Sequence, residues 1–147
     1  RNADIINQIR KVGARIRLIL DGDVAGIIQA ATPNSGIDVY MGIGGAQEGV
    51  LAAAALRGIG GQMQGRLVVS NAQSQVLAET NGIDDISKKF SCEDMAHGDI
   101  TFAATGITYG SMLEGVRITK DGMVTDSLVV QSKSKILRYI KGFHKLD

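Results

Sequence analysis

The chain has 147 residues, of which 44% are hydrophobic and 21% charged, and its formal net charge at pH 7 is +1. This composition is typical of a single soluble globular domain, and the small net charge gives no global attraction to nucleic acid or to anionic membranes. No apolar run approaches the ~18 residues of a membrane span, so we expect neither a membrane protein nor a nucleic-acid-binding protein. The single cysteine, Cys92, excludes an internal disulfide and favours a cytoplasmic location.

The first predicted element is an amphipathic helix over residues Ala3 to Val12. Apolar residues recur there at helical spacing, and Gly13 is the expected C-terminal stop. The chain has no initiator methionine and starts with Arg1 next to this helix. We take this as an indication that it is a piece of a longer protein.

The next segment predicts a strand followed by a pair of carboxylates. Residues 15–20 (Arg-Ile-Arg-Leu-Ile-Leu) are rich in branched side chains, and Asp21-Gly22-Asp23 follows before a short predicted helix. Carboxylates at the carboxyl end of a strand lie where open α/β sheets bind ligands, and they accept hydrogen bonds from sugar hydroxyls or coordinate a divalent cation. The simpler alternative is that Asp21 ends the strand and Asp23 caps the helix.

A glycine-rich turn follows a second predicted strand, residues 37–41. It runs from Gly42 to Gly49 (Gly-Ile-Gly-Gly-Ala-Gln-Glu-Gly) and leads into an alanine-rich predicted helix. Glycines let backbone N–H groups approach an anion, and the helix adds its unpaired N–H groups and the positive end of its dipole. We expect this turn to bind a phosphate group, with the Glu48 carboxylate available to a metal ion.

Two better-known phosphate-binding loops do not match this turn. The dinucleotide pattern G-x-G-x-x-G finds Gln47 in place of its third glycine. The P-loop pattern finds Val50 and Leu51 where it needs Lys and Ser or Thr. A nucleotide-dependent oxidoreductase is therefore excluded by the spacing of the glycines.

The remaining elements complete an α/β pattern. We predict strands at residues 66–69, 100–104 and 136–143, a hairpin formed by 116–119 and 123–130, and helices opened by capping boxes at 70–73 and 91–94. The sequence thus predicts an α/β fold with a layered mixed β-sheet flanked by helices. The lysine-rich stretch from residue 133 onward fits an exposed edge strand.

Together these motifs resemble the class II fructose-1,6-bisphosphatases of bacteria. The resemblance rests on residues 21–25, 42–54 and 60–66, with further matches at 1–15, 102–108 and 127–133. It implies a sugar-phosphatase-like fold in which residues 1–147 form one domain. That domain would be the C-terminal half of a two-domain enzyme.

The resemblance also implies roles for individual residues. Arg1 matches the arginine of the family's Lys-Pro-Arg-His segment, which binds substrate phosphate. Asp21-Gly22-Asp23 matches a substrate-contacting Asp-Gly-Asp, and Gly45 matches a glycine that touches substrate. Glu48 matches the one metal ligand that this half of the enzyme contributes.

The family removes the 1-phosphate of fructose 1,6-bisphosphate with Mn²⁺ or Mg²⁺, and some members also accept sedoheptulose 1,7-bisphosphate. Its other acidic ligands and a threonine that assists the attacking water belong to the N-terminal half. We therefore expect no catalytic residue in this chain, and no activity from it alone. The implied partners are the sugar bisphosphate, the N-terminal half and further copies in a homo-oligomer.

Three positions depart from the family pattern and bear on substrate preference. Asn2 stands where the family usually has His, Gln47 where Pro is usual and Tyr109 where Asp is common. An alternative of a different class is a non-catalytic sugar-phosphate-binding module, which would keep the anion-binding turn without metal chemistry. Acidic metal ligands in a preceding segment would indicate the enzyme, and their absence would indicate the binding module.

Overall fold

A computed structural model of the chain describes residues 2–145. Its helices are α1 (Ala3–Lys11), α2 (Asp23–Ala30), α3 (Ala46–Ile59), α4 (Ala72–Thr80) and α5 (Cys92–Met95). Its strands are β1 (Gln64–Gly65), β2 (Phe90–Ser91), β3 (Thr101–Thr105), β4 (Arg117–Thr119), β5 (Gly122–Gln131) and β6 (Leu137–Lys145). The predicted α/β class is confirmed.

Both predicted capping boxes exist, one of them a residue later than expected. Helix α4 is capped by Asn71, whose Oδ1 accepts from Ser74 N at 2.9 Å, while Asn71 N donates to Ser74 Oγ at 3.1 Å. Helix α5 is capped by Ser91 and Asp94 in the same reciprocal way. Each box satisfies backbone donors that a helix leaves unpaired at its N-terminus.

The main sheet is centred on β5. Strand β6 pairs with β5 along one edge over residues 122–130. Strand β4 pairs with residues 122–124 and β3 with residues 127–131, so β3 and β4 lie end to end along the opposite edge. The hairpin and the last two predicted strands are therefore confirmed, and every strand pair within residues 2–145 is antiparallel.

Helix α3 packs on one face of this sheet. Its buried residues are small except for Leu56, and the core they enter contains Phe102, Leu128 and Val130. The helix can lie close to β5 because Gly58 has no side chain: a Cβ atom there would lie 2.6 Å from Cγ2 of Val130. Small residues on α3 and branched residues on β5 thus set the distance between the two layers.

Arg57 joins helix α3 to helix α5. Its Nη1 donates to the carbonyls of Ala96 and Gly98, both at 2.8 Å, and its Nη2 lies 2.8 Å from Oε2 of Glu93. The bonds thus satisfy the carbonyl of Ala96, the C-cap of α5, and that of Gly98 just beyond it. Because α3 also carries Glu48, this contact ties α5 to the helix that starts at the glycine turn.

Three strand predictions are wrong for the part of the chain that is described. Residues 15–20, 37–41 and 66–69 have no strand assignment, and β1 ends at Gly65. A strand needs a hydrogen-bonded neighbour, and these segments find none between residues 2 and 145. Their apolar side chains consequently remain open to solvent: Leu18 is 66% exposed, Leu20 fully exposed and Val39 64% exposed.

Between residues 2 and 145, no helix combines the length and the apolar character needed to cross a membrane.

Candidate functional site

The first part of the candidate site is the N-terminus of helix α2. Gly22 is the N-cap residue and adopts the left-handed conformation, with φ 78° and ψ 39°. Glycine takes that conformation without the Cβ clash that other residues meet. Asp23 is then the first helical residue, so the interpretation of Asp23 as the cap is off by one position. Asp21 precedes the turn and is exposed.

Tyr40 fixes the direction of the Asp23 side chain. The Tyr40 hydroxyl donates to Oδ1 of Asp23 at 2.8 Å, across 17 residues of sequence. The tyrosine ring lies beside Gly26 of α2, where a Cβ atom would be 3.0 Å from Cε2 of the ring. Asp23 is therefore held by a residue from the segment that leads into the glycine turn.

The glycine turn receives one carboxylate from each of two helices. A Cβ atom on Gly44 would lie 2.6 Å from Oδ2 of Asp23. A Cβ atom on Gly45 would overlap Oε2 of Glu48, which belongs to the first turn of α3. A Cβ atom at either position would push one of these carboxylates aside, so the two side chains meet the backbone at neighbouring positions of one turn.

This arrangement combines hard oxygen ligands with a helix N-terminus. The Asp23 and Glu48 carboxylates have the oxygen donors that Mg²⁺ and Mn²⁺ prefer, and they accept hydrogen bonds from hydroxyl groups. Gly45 is the N-cap of α3 in extended conformation, and the unpaired N–H groups that follow it suit an anion. Over the described part of the chain, no group of three or more His, Cys, Asp or Glu side chains is placed to hold a metal ion.

The structure brings together three of the predicted site residues, Asp23, Gly45 and Glu48. Asp21 lies just outside this cluster, two residues before Asp23, and Arg1 lies outside the described residues. Sequence reasoning missed Tyr40 as a partner of Asp23, because it counted residues 37–41 only as an apolar strand. A tyrosine that leads into a glycine turn was the available signal, although its partner could not be identified from sequence alone.

Comparison with known proteins identifies the family. Residues 1–144 match the family described as bacterial fructose-1,6-bisphosphatase, glpX-encoded. A protein of Synechococcus sp. (strain JA-3-3Ab) is 41% identical over 100% of this chain and 46% of its own length. It is named D-fructose 1,6-bisphosphatase class 2/sedoheptulose 1,7-bisphosphatase.

Relatives in two other organisms give the same result. The Trichodesmium erythraeum (strain IMS101) protein of that name is 41% identical over 98% of this chain. The Acaryochloris marina (strain MBIC 11017) protein, D-fructose 1,6-bisphosphatase class 2/sedoheptulose 1,7-bisphosphatase 1, is 39% identical over 100% of it. In each case the chain spans 46% of the relative's length, so it corresponds to about half of such a protein. With nearly every residue inside the family match, the chain belongs to the glpX-encoded fructose-1,6-bisphosphatase family of bacteria.

Proposed function

We propose that the intact protein hydrolyses the 1-phosphate of fructose 1,6-bisphosphate, and possesses activity toward sedoheptulose 1,7-bisphosphate as its relatives' names state. In this proposal the chain binds the sugar through Asp21, Gly22, Asp23 and Gly45, and a substrate phosphate through Arg1. Glu48 contributes one ligand to a divalent cation, Mn²⁺ or Mg²⁺. The observation that carries the proposal is the meeting of Asp23 and Glu48 at one glycine turn.

The chemistry of phosphate-ester hydrolysis fits these residues. Bound divalent ions supply Lewis acidity and lower the pKa of an attacking water. The chain's own residues orient the substrate: Asp23 accepts a hydrogen bond from a sugar hydroxyl, and the N–H groups of the glycine turn face a phosphate oxygen. Hydrogen bonds to the sugar hydroxyls fix the sugar, so that the phosphorus atom stays in line with the attacking water.

A second, preceding half of the protein completes the site in this proposal. Support comes from the length of the relatives, of which this chain spans 46%, and from the apolar surface beside the glycine turn. Leu18, Leu20 and Val39 are all more than 60% exposed, and the segments that carry them have no strand partner within residues 2–145. We propose that the preceding half covers this surface and supplies the remaining acidic ligands. Assembly into a homo-oligomer and a cytoplasmic location belong to the same proposal.

Phosphate release from fructose 1,6-bisphosphate, measured with Mn²⁺ and with Mg²⁺, tests the function. The samples are the intact protein, its Glu48→Gln variant and its Glu93→Gln variant. Glu93 is the matched control. It lies on α5, away from the glycine turn, and its 65% exposed carboxylate pairs with Arg57 of α3. We expect activity in the intact protein and in Glu93→Gln, and a loss of at least ~100-fold in Glu48→Gln, since a metal ligand is removed.

The outcome also separates the two function classes. An intact protein that binds the sugar bisphosphate without releasing phosphate would overturn the phosphatase proposal in favour of a sugar-phosphate-binding module. Equal activity in Glu48→Gln and Glu93→Gln would remove Glu48 from the metal site. Activity that persists in the 147-residue chain alone would show that the preceding half is not required.

A further inference from the structure

Tyr40 is enclosed by the two glycine-containing segments that flank the site. Its ring lies beside Gly26 of α2, and its hydroxyl is 3.1 Å from the position of a Cβ atom on Gly42. The same hydroxyl donates to Oδ1 of Asp23 at 2.8 Å. The ring is therefore packed between a helix and the start of the glycine turn, and its hydroxyl reaches Oδ1 of Asp23.

The two oxygens of Asp23 consequently have different surroundings. Oδ1 accepts from Tyr40, whereas Oδ2 lies against the backbone of Gly44 at the turn. A carboxylate on a short side chain rotates freely unless one of its oxygens is held. The hydrogen bond to a charged acceptor is stronger than one between neutral groups, and it leaves Oδ2 directed toward the turn with its acceptor capacity intact.

We infer that Tyr40 is a positioning residue, which fixes Asp23 so that Oδ2 accepts a hydrogen bond from a substrate hydroxyl. This inference rests on the proposed function, because it assigns to Asp23 a sugar hydroxyl as its ligand. Tyr40 itself does not contact the reacting phosphate. Its removal therefore weakens substrate binding in the ground state and the transition state alike, which raises KM and leaves kcat nearly unchanged.

The Tyr40→Phe variant of the intact protein tests this role, since it removes only the hydroxyl and retains the packed ring. We expect KM for fructose 1,6-bisphosphate to rise roughly 10-fold, the effect of one lost hydrogen bond to a charged group, while kcat changes less than about 2-fold. Tyr139→Phe is the matched control, because Tyr139 lies on β6 and is 57% exposed. It should leave both constants unchanged.

The same substitution in an Asp23→Ala background, which removes the acceptor of the Tyr40 hydroxyl, separates positioning from packing. If Tyr40 acts through Asp23, Tyr40→Phe should change KM less than 2-fold once the carboxylate is gone. An unchanged KM in Tyr40→Phe alone, or an equal increase in both backgrounds, would overturn the inference. A thermal-unfolding cycle of the same variants checks the hydrogen bond itself, because the two substitutions should not be additive.

Activity of the unaltered protein distinguishes failure of this inference from failure of the proposed function. If the unaltered protein is active and Tyr40→Phe leaves KM unchanged, only the role of Tyr40 is overturned. A protein that neither binds nor hydrolyses the sugar bisphosphate overturns the proposed function, and with it the sugar hydroxyl assigned to Asp23.

Discussion

Oδ2 of Asp23 lies 2.6 Å from the position that a Cβ atom on Gly44 would occupy. A methyl group on residue 44 would therefore push the carboxylate away from the turn. Such a shift would strain or break the hydrogen bond that the other oxygen of Asp23 accepts from Tyr40. The glycine-rich turn is thus shaped by a side chain from the preceding helix as well as by the anion that such turns bind.

Replacement of Gly44 by alanine should impair substrate binding with little change in stability. We expect KM for fructose 1,6-bisphosphate to rise by about 10-fold or more, because the Asp23 carboxylate is moved away from the position in which it accepts a hydrogen bond from substrate. Gly49→Ala is the control: although Gly49 ends the glycine-rich sequence, it lies in α3, its N–H already donates to the Gly45 carbonyl at 3.1 Å, and a Cβ atom there meets nothing within 4 Å. It should retain activity and raise the free energy of unfolding by up to ~1 kcal/mol through helix propensity. Equal KM values for the two variants would contradict the predicted clash.

Local sequence signals predicted the elements that local chemistry determines. The capping residues of α4 and α5, the glycine that ends α1 and the β4–β5 hairpin all follow from residues close together in sequence. The strands at 15–20 and 37–41 failed because a strand depends on a partner that its own sequence does not specify. The Tyr40–Asp23 bond was missed for the same reason, since it joins residues 17 positions apart.

The packing of α3 on β5 should be sensitive to added volume at Gly58. A Cβ atom there would lie 2.6 Å and 2.9 Å from the two methyl carbons of Val130, a β-branched residue that is 1% exposed. Overpacking of this kind costs ~1–3 kcal/mol, which exceeds the helix-propensity gain of alanine over glycine. We expect Gly58→Ala to lower the free energy of unfolding in a urea titration, whereas Gly49→Ala on the same helix raises it.

A second variant shows whether the lower stability of Gly58→Ala comes from its contact with Val130. In a Val130→Ala background the methyl groups that clash are absent, so Gly58→Ala should be tolerated or slightly stabilising. If Gly58→Ala lowers the free energy of unfolding equally in both backgrounds, the strain does not come from the Val130 methyl groups.

Arg57 should contribute to stability mainly through its carbonyl acceptors. Its side chain is 20% exposed and donates to Ala96 and Gly98, while its ionic partner Glu93 is 65% exposed. Hydrogen bonds from a charged, partly buried donor are worth about 1.5–3 kcal/mol, whereas an exposed ion pair contributes ~0–1 kcal/mol. We expect Arg57→Ala to lower the free energy of unfolding clearly more than Glu93→Gln does. Equal losses in chemical denaturation would assign the stabilisation to the ion pair.

The capping box of α5 should be lost in acid, when the Asp94 carboxylate is protonated. Oδ2 of Asp94 accepts from the hydroxyl of Ser91 at 2.6 Å and from its backbone N–H at 2.8 Å, and Lys88 lies 3.1 Å from Oδ1. The Ser91 hydrogen bonds, with a smaller contribution from Lys88, lower the pKa of Asp94 from 3.8 to about 2. The charged form is thus favoured in the folded state.

The sign of the pH dependence follows from that lowered pKa. Because the folded pKa lies below the unfolded one, the stabilisation is complete above pH 3.8 and is lost as the pH falls toward about 2. A carboxyl-detected NMR titration of the intact protein should give an Asp94 midpoint near 2, and Ser91→Ala should move that midpoint up toward 3.8 by removing the hydroxyl donor. A midpoint near 3.8 in the unaltered protein would show that Asp94 does not cap α5 in solution.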